Sequence, residues 1–247
     1  MGSTKLDLSK REYVIGVIRE VYESQGFESL ENAEAFQGKI DGDSKTIEAS
    51  VTLAVNEALE RLGVKNFAIY ISHSDVLSDI LETVRVPETL QPKTFAAIRG
   101  FTKFDIAGFV QELQDVGVSE NAATILADLF LKSDEILNQE HDINLTIVSN
   151  LLNIVNNETL GELGQILRLT GRKPVLIDPA LPCESPFGKG IVIEARTSGL
   201  VHLGSGGCIA ERTNVFAFSF DVENIIELMD ASKAFPSTMA VSGSAIL

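Results

Sequence analysis

The chain has 247 residues, 45% of them hydrophobic, which is enough apolar material to bury a sizeable core. A formal net charge of −15 leaves no basic surplus for gripping a nucleic-acid backbone, and the absence of Trp with only three Tyr leaves few platforms for stacking bases. No apolar run reaches transmembrane length, and two cysteines point to a reducing, cytoplasmic compartment rather than a disulfide scaffold, with an organellar address left open because residues 1–3 do not show whether a targeting peptide was removed.

Residues 8–25 read as an amphipathic helix, with Val14, Val17, Ile18, Val21 and Tyr22 at helical spacing and Arg11, Arg19, Glu20 and Glu23 mostly opposite. Gln25-Gly26 ends it, and residues 27–30 start a short strand. A second helix is predicted over 44–62, with Ile47, Val51, Ala54, Val55, Ala58 and Leu59 as its apolar stripe and Asp43 or Ser44 as its cap. Residues 67–72 form a strand with Phe67, Ile69 and Ile71 on one face. His73 follows it and reads as a hydrogen-bonded strand-end residue, since no Ser or Cys is spaced to make a triad with it. His141 and His202 are equally isolated, and no His/Cys spacing suggests a metal site.

Residues 74–170 are predicted to be helical nearly throughout. Val76, Leu77, Ile80 and Leu81 supply one apolar face. Phe101, Phe104, Ile106, Phe109, Val110 and Leu113 supply the next. Ser119 caps a helix carrying Ala122, Ile125, Leu126 and Leu129, and further helical pattern covers 143–155 and 158–169. Strand signals then take over. Val175 to Ile177 is a short apolar run, and Ile191, Ile193 and Ala195 alternate with Val192, Glu194 and Arg196. Residues 200–203 read as a strand closed by Gly204, Gly206 and Gly207, glycines that allow close approach of a ligand or of a neighbouring strand. Phe216, Phe218 and Phe220 alternate as a strand, and Asp221 caps a helix carrying Val222, Ile225, Ile226 and Met229. Residues 232–247 are small and polar and read as a mobile tail.

The stretch DPALPCESPFGKGIVIEA resembles the histidine-recognition motif of the class II histidyl-tRNA synthetases, with Asp178, Leu181, Gly190, Ile191, Val192, Glu194 and Ala195 in register, and LGSGG falls where that family has its glycine-rich pocket floor. The helix at 8–25 and the strand after it resemble class II motif 1, and VFAFSFDVENIIEL resembles motif 3, with Glu223 retained. KFDIAGFVQELQDVGVSENAA resembles the family's helical insertion. Departures are concentrated where charge is needed. Cys183 stands at the catalytic arginine, Phe187, Gly188 and Lys189 replace the Tyr-Tyr-Thr run, Cys208 replaces an arginine after the glycines, and Asn224 replaces the arginine that stacks on adenine. Cysteine and asparagine cannot supply the fixed positive charge that adenylation needs as charge moves onto pyrophosphate. No counterpart to motif 2 is found between residues 30 and 67, and none to an anticodon-binding domain after residue 231.

The resemblance implies an α+β class II aminoacyl-tRNA synthetase-like fold: an antiparallel sheet with flanking helices, formed by 1–73 and 171–231, and a helical insertion over 74–170. It implies a non-catalytic paralogue acting as a regulatory or protein-interaction subunit, since a relative of the synthetases serves as the regulatory subunit of ATP phosphoribosyltransferase in histidine biosynthesis. The implied partners are a second copy through the motif 1-like region and an ATP phosphoribosyltransferase catalytic subunit; tRNA and membranes are not expected, and no cofactor or metal is implied. Two other readings stand beside it. One is a sensor of histidine or a related small ligand, with Phe187, Gly190, Glu194, Gly204, Gly206 and Gly207 as its pocket. The other is a residual enzyme with altered chemistry that uses Cys183 as nucleophile and Lys189 beside it. Cys183 and Cys208 are a candidate redox pair in the same cleft, with two separate buried thiols as the alternative.

Overall fold

The computed structural model describes residues 3–29, 35–39, 44–100, 105–136, 151, 154–171, 173–181, 187–209 and 215–240. Helix α1 (Ser3–Ser24) leads into strands β1 (Glu28–Ser29) and β2 (Ala35–Lys39), followed by helix α2 (Ser44–Arg61) and strand β3 (Phe67–His73). The helices α3 (Ser74–Thr83), α4 (Gln91–Gly100), α5 (Ile106–Asp115), α6 (Glu120–Ile136) and α7 (Asn157–Thr170) come next. The chain closes with β4 (Val175–Ile177), β5 (Phe187–Thr197), β6 (His202–Ile209), β7 (Val215–Phe220), α8 (Val222–Ser232) and α9 (Ser237–Ala240). The strands form one sheet in the order β1-β2-β7-β6-β5-β3-β4.

The β1/β2, β2/β7 and β6/β7 pairs are antiparallel. At the far edge the pattern changes. Ile69 N–H donates to Pro174 O at 2.8 Å and Asp178 N–H donates to Ile71 O at 2.9 Å, so the bonds advance in the same direction along both strands, which is the parallel arrangement. The purely antiparallel sheet expected from the sequence is therefore a mixed one. The long helical excursion between β3 and β4 makes this possible, because a parallel neighbour needs a crossover connection.

The chain divides into two compact units, one of residues 1–69, 166–175 and 193–247 and the other of residues 70–165 and 176–192. In the first, α1 packs on α2, α8 and β1, while α2 packs on β7 and β2. Val14, Ile18, Val21 and Tyr22 of α1 are all fully buried, so the stripe read from the sequence is used inside the chain. Tyr22 meets Phe220 edge-on with ring centroids 5.9 Å apart, and its burial pushes the phenol well above its ordinary pKa. The inner face of α2 is less apolar than its stripe suggested: Glu48, Thr52 and Asn56 are buried beside Val51, Val55 and Leu59. After α8, Lys233 takes a left-handed φ of 55° as C-cap, and Phe235 packs edge-on against Tyr13 at 6.0 Å. Residues 235–240 thus include a packed ring and a short helix, and 241–247 lie outside the described residues.

In the second unit Val76, Leu77, Ile80 and Leu81 of α3 are buried as their spacing predicts, and α5 packs on both α4 and α6. Ser119 Oγ accepts the Ala122 N–H at 3.3 Å, the cap expected for α6. The positions of Phe101, Phe104, Asp43 and most of 143–155 lie outside the described residues.

Candidate functional site

The hairpin β5–β6 and the β7–α8 unit carry the two motifs that the sequence singles out. The hairpin turn is fixed by Leu200 N–H to Thr197 O at 2.9 Å, Thr197 N–H to Val201 O at 3.0 Å and Val201 N–H to Thr197 Oγ1 at 3.2 Å. Residues 198–200 form this turn, and β6 runs straight through the glycines to Ile209 instead of ending at them. The strand predicted over 200–203 is thus displaced by two residues and extended. The reason is cross-strand: Gly204 pairs with Phe220, Gly206 with Phe218 and Gly207 with Ala217.

A β-carbon on Gly206 would lie 2.5 Å from Ala217 O and 2.8 Å from Phe218 Cδ2, and one on Gly204 would lie 2.4 Å from Ser219 O and 2.6 Å from Phe218 Cε1. The fully buried ring of Phe218 therefore lies over the bare backbone of β6. Of the two uses open to these glycines, the approach of a neighbouring strand is the one that occupies Gly204 and Gly206. Glu194 stays half-buried on β5, with a carboxylate oxygen 3.5 Å from the Arg196 guanidinium. Cys208, on the same strand face as Gly204 and Gly206, has its thiol 4.0 Å from a carboxylate oxygen of buried Glu48. Cys183 lies outside the described residues, as does His141.

His202 is not isolated. Pairing Gly204 with Phe220 carries the start of β6 alongside the end of β7, and His202 Nδ1 comes 3.7 Å from Asp221 Oδ2. Asp221 caps α8 by accepting the Asn224 N–H at 3.1 Å, and its own N–H donates to Leu203 O at 2.9 Å. The Asn224 amide donates to His202 O at 2.9 Å and to Asp221 Oδ2 at 3.0 Å. The position matched to an adenine-stacking arginine is thus used to tie the first turn of α8 to β6. Arg11 of α1 forms an ion pair with Glu223, and Lys10 forms another with Asp230 at 2.6 Å, which hold α1 against α8.

These groups border an open cleft of about 280 Å³, lined among others by Arg11, His202, Ser205, Ser219 and Asp221. Ser205 and Ser219 are cross-strand partners. The cleft offers a carboxylate, an imidazole and two hydroxyls, a set suited to a small polar ligand with donors to give. Sequence spacing alone misses it, because its residues are spread from 11 to 223 and meet only through strand pairing.

In the second unit His73 caps α3. Its Nδ1 accepts the Asp75 N–H at 3.2 Å, which leaves the ring proton on Nε2, 3.4 Å from Glu162 Oε2. That is the strand-end role read from the sequence. Ser74 Oγ accepts the Gly190 N–H at 3.0 Å, and Gly190 has a φ of 123° that favours glycine. Phe187 begins β5. Asp178, the first residue of the motif, accepts the Ala180 N–H at 3.0 Å and so shapes the loop after β4. Lys189 is exposed. Among the described residues no group of His, Cys, Asp and Glu is placed to hold a metal ion, and no helix is long and apolar enough to cross a membrane.

No protein-family model matches the chain. Its sequence is similar to a histidine–tRNA ligase of Treponema denticola, with 22% identity over 169 residues that make up 67% of this chain and 38% of that protein. Its fold is similar to a histidyl-tRNA synthetase from Nostoc, with a TM-score of 0.66 at 16% identity, covering 82% of this chain and 51% of that one. It is also similar to an ATP phosphoribosyltransferase regulatory subunit/histidyl-tRNA synthetase from Bacillus halodurans, with a TM-score of 0.60 at 18% identity, covering 79% of this chain and 52% of that one. The chain thus has the histidyl-tRNA synthetase-like α+β fold and spans about half the length, or less, of these relatives.

Proposed function

We propose that the chain is a non-catalytic regulatory or protein-interaction subunit on a histidyl-tRNA synthetase-like fold, acting with an ATP phosphoribosyltransferase catalytic subunit in the cytoplasm. The observation that carries this reading is Asn224. Its amide faces inward onto His202 O and Asp221, where a synthetase-type site needs a cation facing ATP. Arg11, the cation on the neighbouring cleft, is already paired with Glu223. The domain reading goes with it: a core of 1–73 and 171–231 supports the interaction, and the insertion over 74–170 serves as a helical cap. A homodimer through β1 remains part of the proposal. With the α1 stripe buried inside the chain, the place of β1 at one end of the sheet, among the described residues, is its main support.

The test has two parts. Purified chain should give only background ATP–pyrophosphate exchange with histidine; appreciable turnover overturns the non-catalytic reading. Adding the chain to the catalytic subunit should change its rate or its response to histidine, and no effect across a full titration removes the regulatory role.

A second reading, a sensor of histidine or a related amine, is favoured by the small cleft that Asp221, His202, Ser205 and Ser219 line with a carboxylate, an imidazole and two hydroxyls. Calorimetry with histidine separates the two, since a subunit without a ligand site gives no heat.

A further inference from the structure

We propose that residues 233–240 form an exchangeable strap, and that two copies of the chain dimerise by each laying this strap on helix α1 of the other. The surface that receives it is the one the strap covers within a single chain, built around Lys10, Tyr13 and Gly63. This deepens the homodimer reading, on which it rests, by naming a contact other than β1.

Within one chain the strap has a defined seat. Lys233 turns the backbone at the end of α8 with its N–H donating to Asp230 O at 3.2 Å, and Ala234 N–H donates to Met229 O at 2.8 Å. Phe235 then meets Tyr13 of α1 edge-on with ring centroids 6.0 Å apart, and Lys10 Nζ lies 5.3 Å from the centre of the Phe235 ring. Asp230 holds the same Lys10 ammonium at 2.6 Å, so the cation is fixed where the ring arrives. Ala234 fits against Gly63, where an added β-carbon would come 3.3 Å from the Ala234 Cβ. Helix α9 follows and also packs on α1.

The hinge conflicts with this seat. Lys233 holds a φ of 55° at the left-handed cap position, which glycine fills without strain and a residue with a side chain fills at a cost. Lysine and alanine are good helix formers, so residues 231–234, Ala-Ser-Lys-Ala, favour a continued α8 over a turn, and Pro236 sets where that continuation stops. Straightening relieves the strain at Lys233. It also carries Phe235 away from the Tyr13 and Lys10 of its own chain. The strap of a second copy restores each lost contact, because the same segment meets the same seat. A twofold exchange does this for both chains and closes the assembly at two. It brings no like charges together at the seat, since the ring is uncharged and Lys10 keeps its own Asp230.

The experiment is size-exclusion chromatography with light scattering on the full chain, from micromolar to submillimolar concentration. Wild type should pass from monomer to dimer across this range. Lys233→Gly keeps the turn without its strain, so its dimer should be weaker by about tenfold or more. Lys233→Pro fixes φ near about −65° and denies the turn, so it should be dimeric where wild type is monomeric. Adding Phe235→Ala to it should return the monomer. Far-UV circular dichroism checks that each variant is folded, and if the proline variant is not, the glycine variant decides. A Lys233→Gly chain that dimerises like wild type overturns the strained hinge and the proposal with it. A dimer that persists in Phe235→Ala forms through another surface, which overturns the strap and leaves the homodimer reading standing. Wild type that stays monomeric throughout overturns both.

Discussion

Gly206→Ala tests the close contact between β6 and β7. The added methyl would sit 2.5 Å from Ala217 O, 2.8 Å from Phe218 Cδ2 and 3.1 Å from Phe218 Cα. Two of these neighbours are backbone atoms in a paired strand, so they cannot swing away as the end of a flexible side chain can. The strands must part or the ring must leave its rotamer, and overpacking of this kind costs about 1–3 kcal/mol. Replacing glycine also removes unfolded-state freedom, which offsets about 0.4–1 kcal/mol. The net expectation is a loss of about 1–2 kcal/mol, near the middle of what single substitutions do. With a urea m-value of about 2 kcal/mol/M, the midpoint should fall by roughly 0.5–1 M. Far-UV circular dichroism during urea titration reads this, provided wild type and variant share one m-value. Gly16→Ala in α1 is the control. Apart from the backbone of its own helix, nothing lies within 4 Å of its added β-carbon, and a mid-helix glycine costs about 0.5–1 kcal/mol relative to alanine, so that variant should gain stability. A Gly206→Ala variant within about 0.3 kcal/mol of wild type would show that Phe218 does not cover β6, and would return the glycine to the role of ligand floor.

Asn224→Ala should lose about 1–2 kcal/mol in the same titration, since it frees His202 O and an Asp221 oxygen that the amide now satisfies; an unchanged midpoint would mean that the amide does not tie α8 to β6. His73→Ala should cost about 1 kcal/mol through the lost cap of α3, while His73→Asn should recover most of it, because asparagine caps well; equal losses in both variants would point to the Glu162 contact instead. Tyr22 is neutral and buried with a raised pKa, so its contribution is fully present below the ordinary phenol value of 10.0 and is lost as pH rises above it. Tyr22→Phe should therefore flatten the alkaline limb of stability by up to about 1.4 kcal/mol per pH unit, and an unaltered limb above pH 10 removes the idea. Counting thiols before and after mild oxidation tests the Cys183–Cys208 pair: loss of both free thiols in monomeric protein supports it, and two surviving thiols dismiss it.

Local spacing determined a good deal here. The 3.6-residue stripe of α1, the helical face of α3 and the alternation of Phe216, Phe218 and Phe220 each follow from which neighbours along the chain share a side, whereas Ile106, read as part of the apolar face of α5, is 50% exposed. Asp221 and Ser119 as caps were legible for the same reason, since a cap acts within three residues. The synthetase-like fold was legible from the order of the motifs. What the tertiary structure decided is non-local. Spacing left the glycines between a ligand floor and a close strand approach, and only the register of β6 on β7 puts the Phe218 ring over them. His202 looked alone because its neighbour Asp221 is nineteen positions on and arrives by strand pairing. Glu48, Thr52 and Asn56 look like the wet side of α2, yet packing against β7 and β2 buries them. Periodicity reports which residues along one element share a face; it carries no information about which distant element will cover that face, and that choice belongs to the packed sheet.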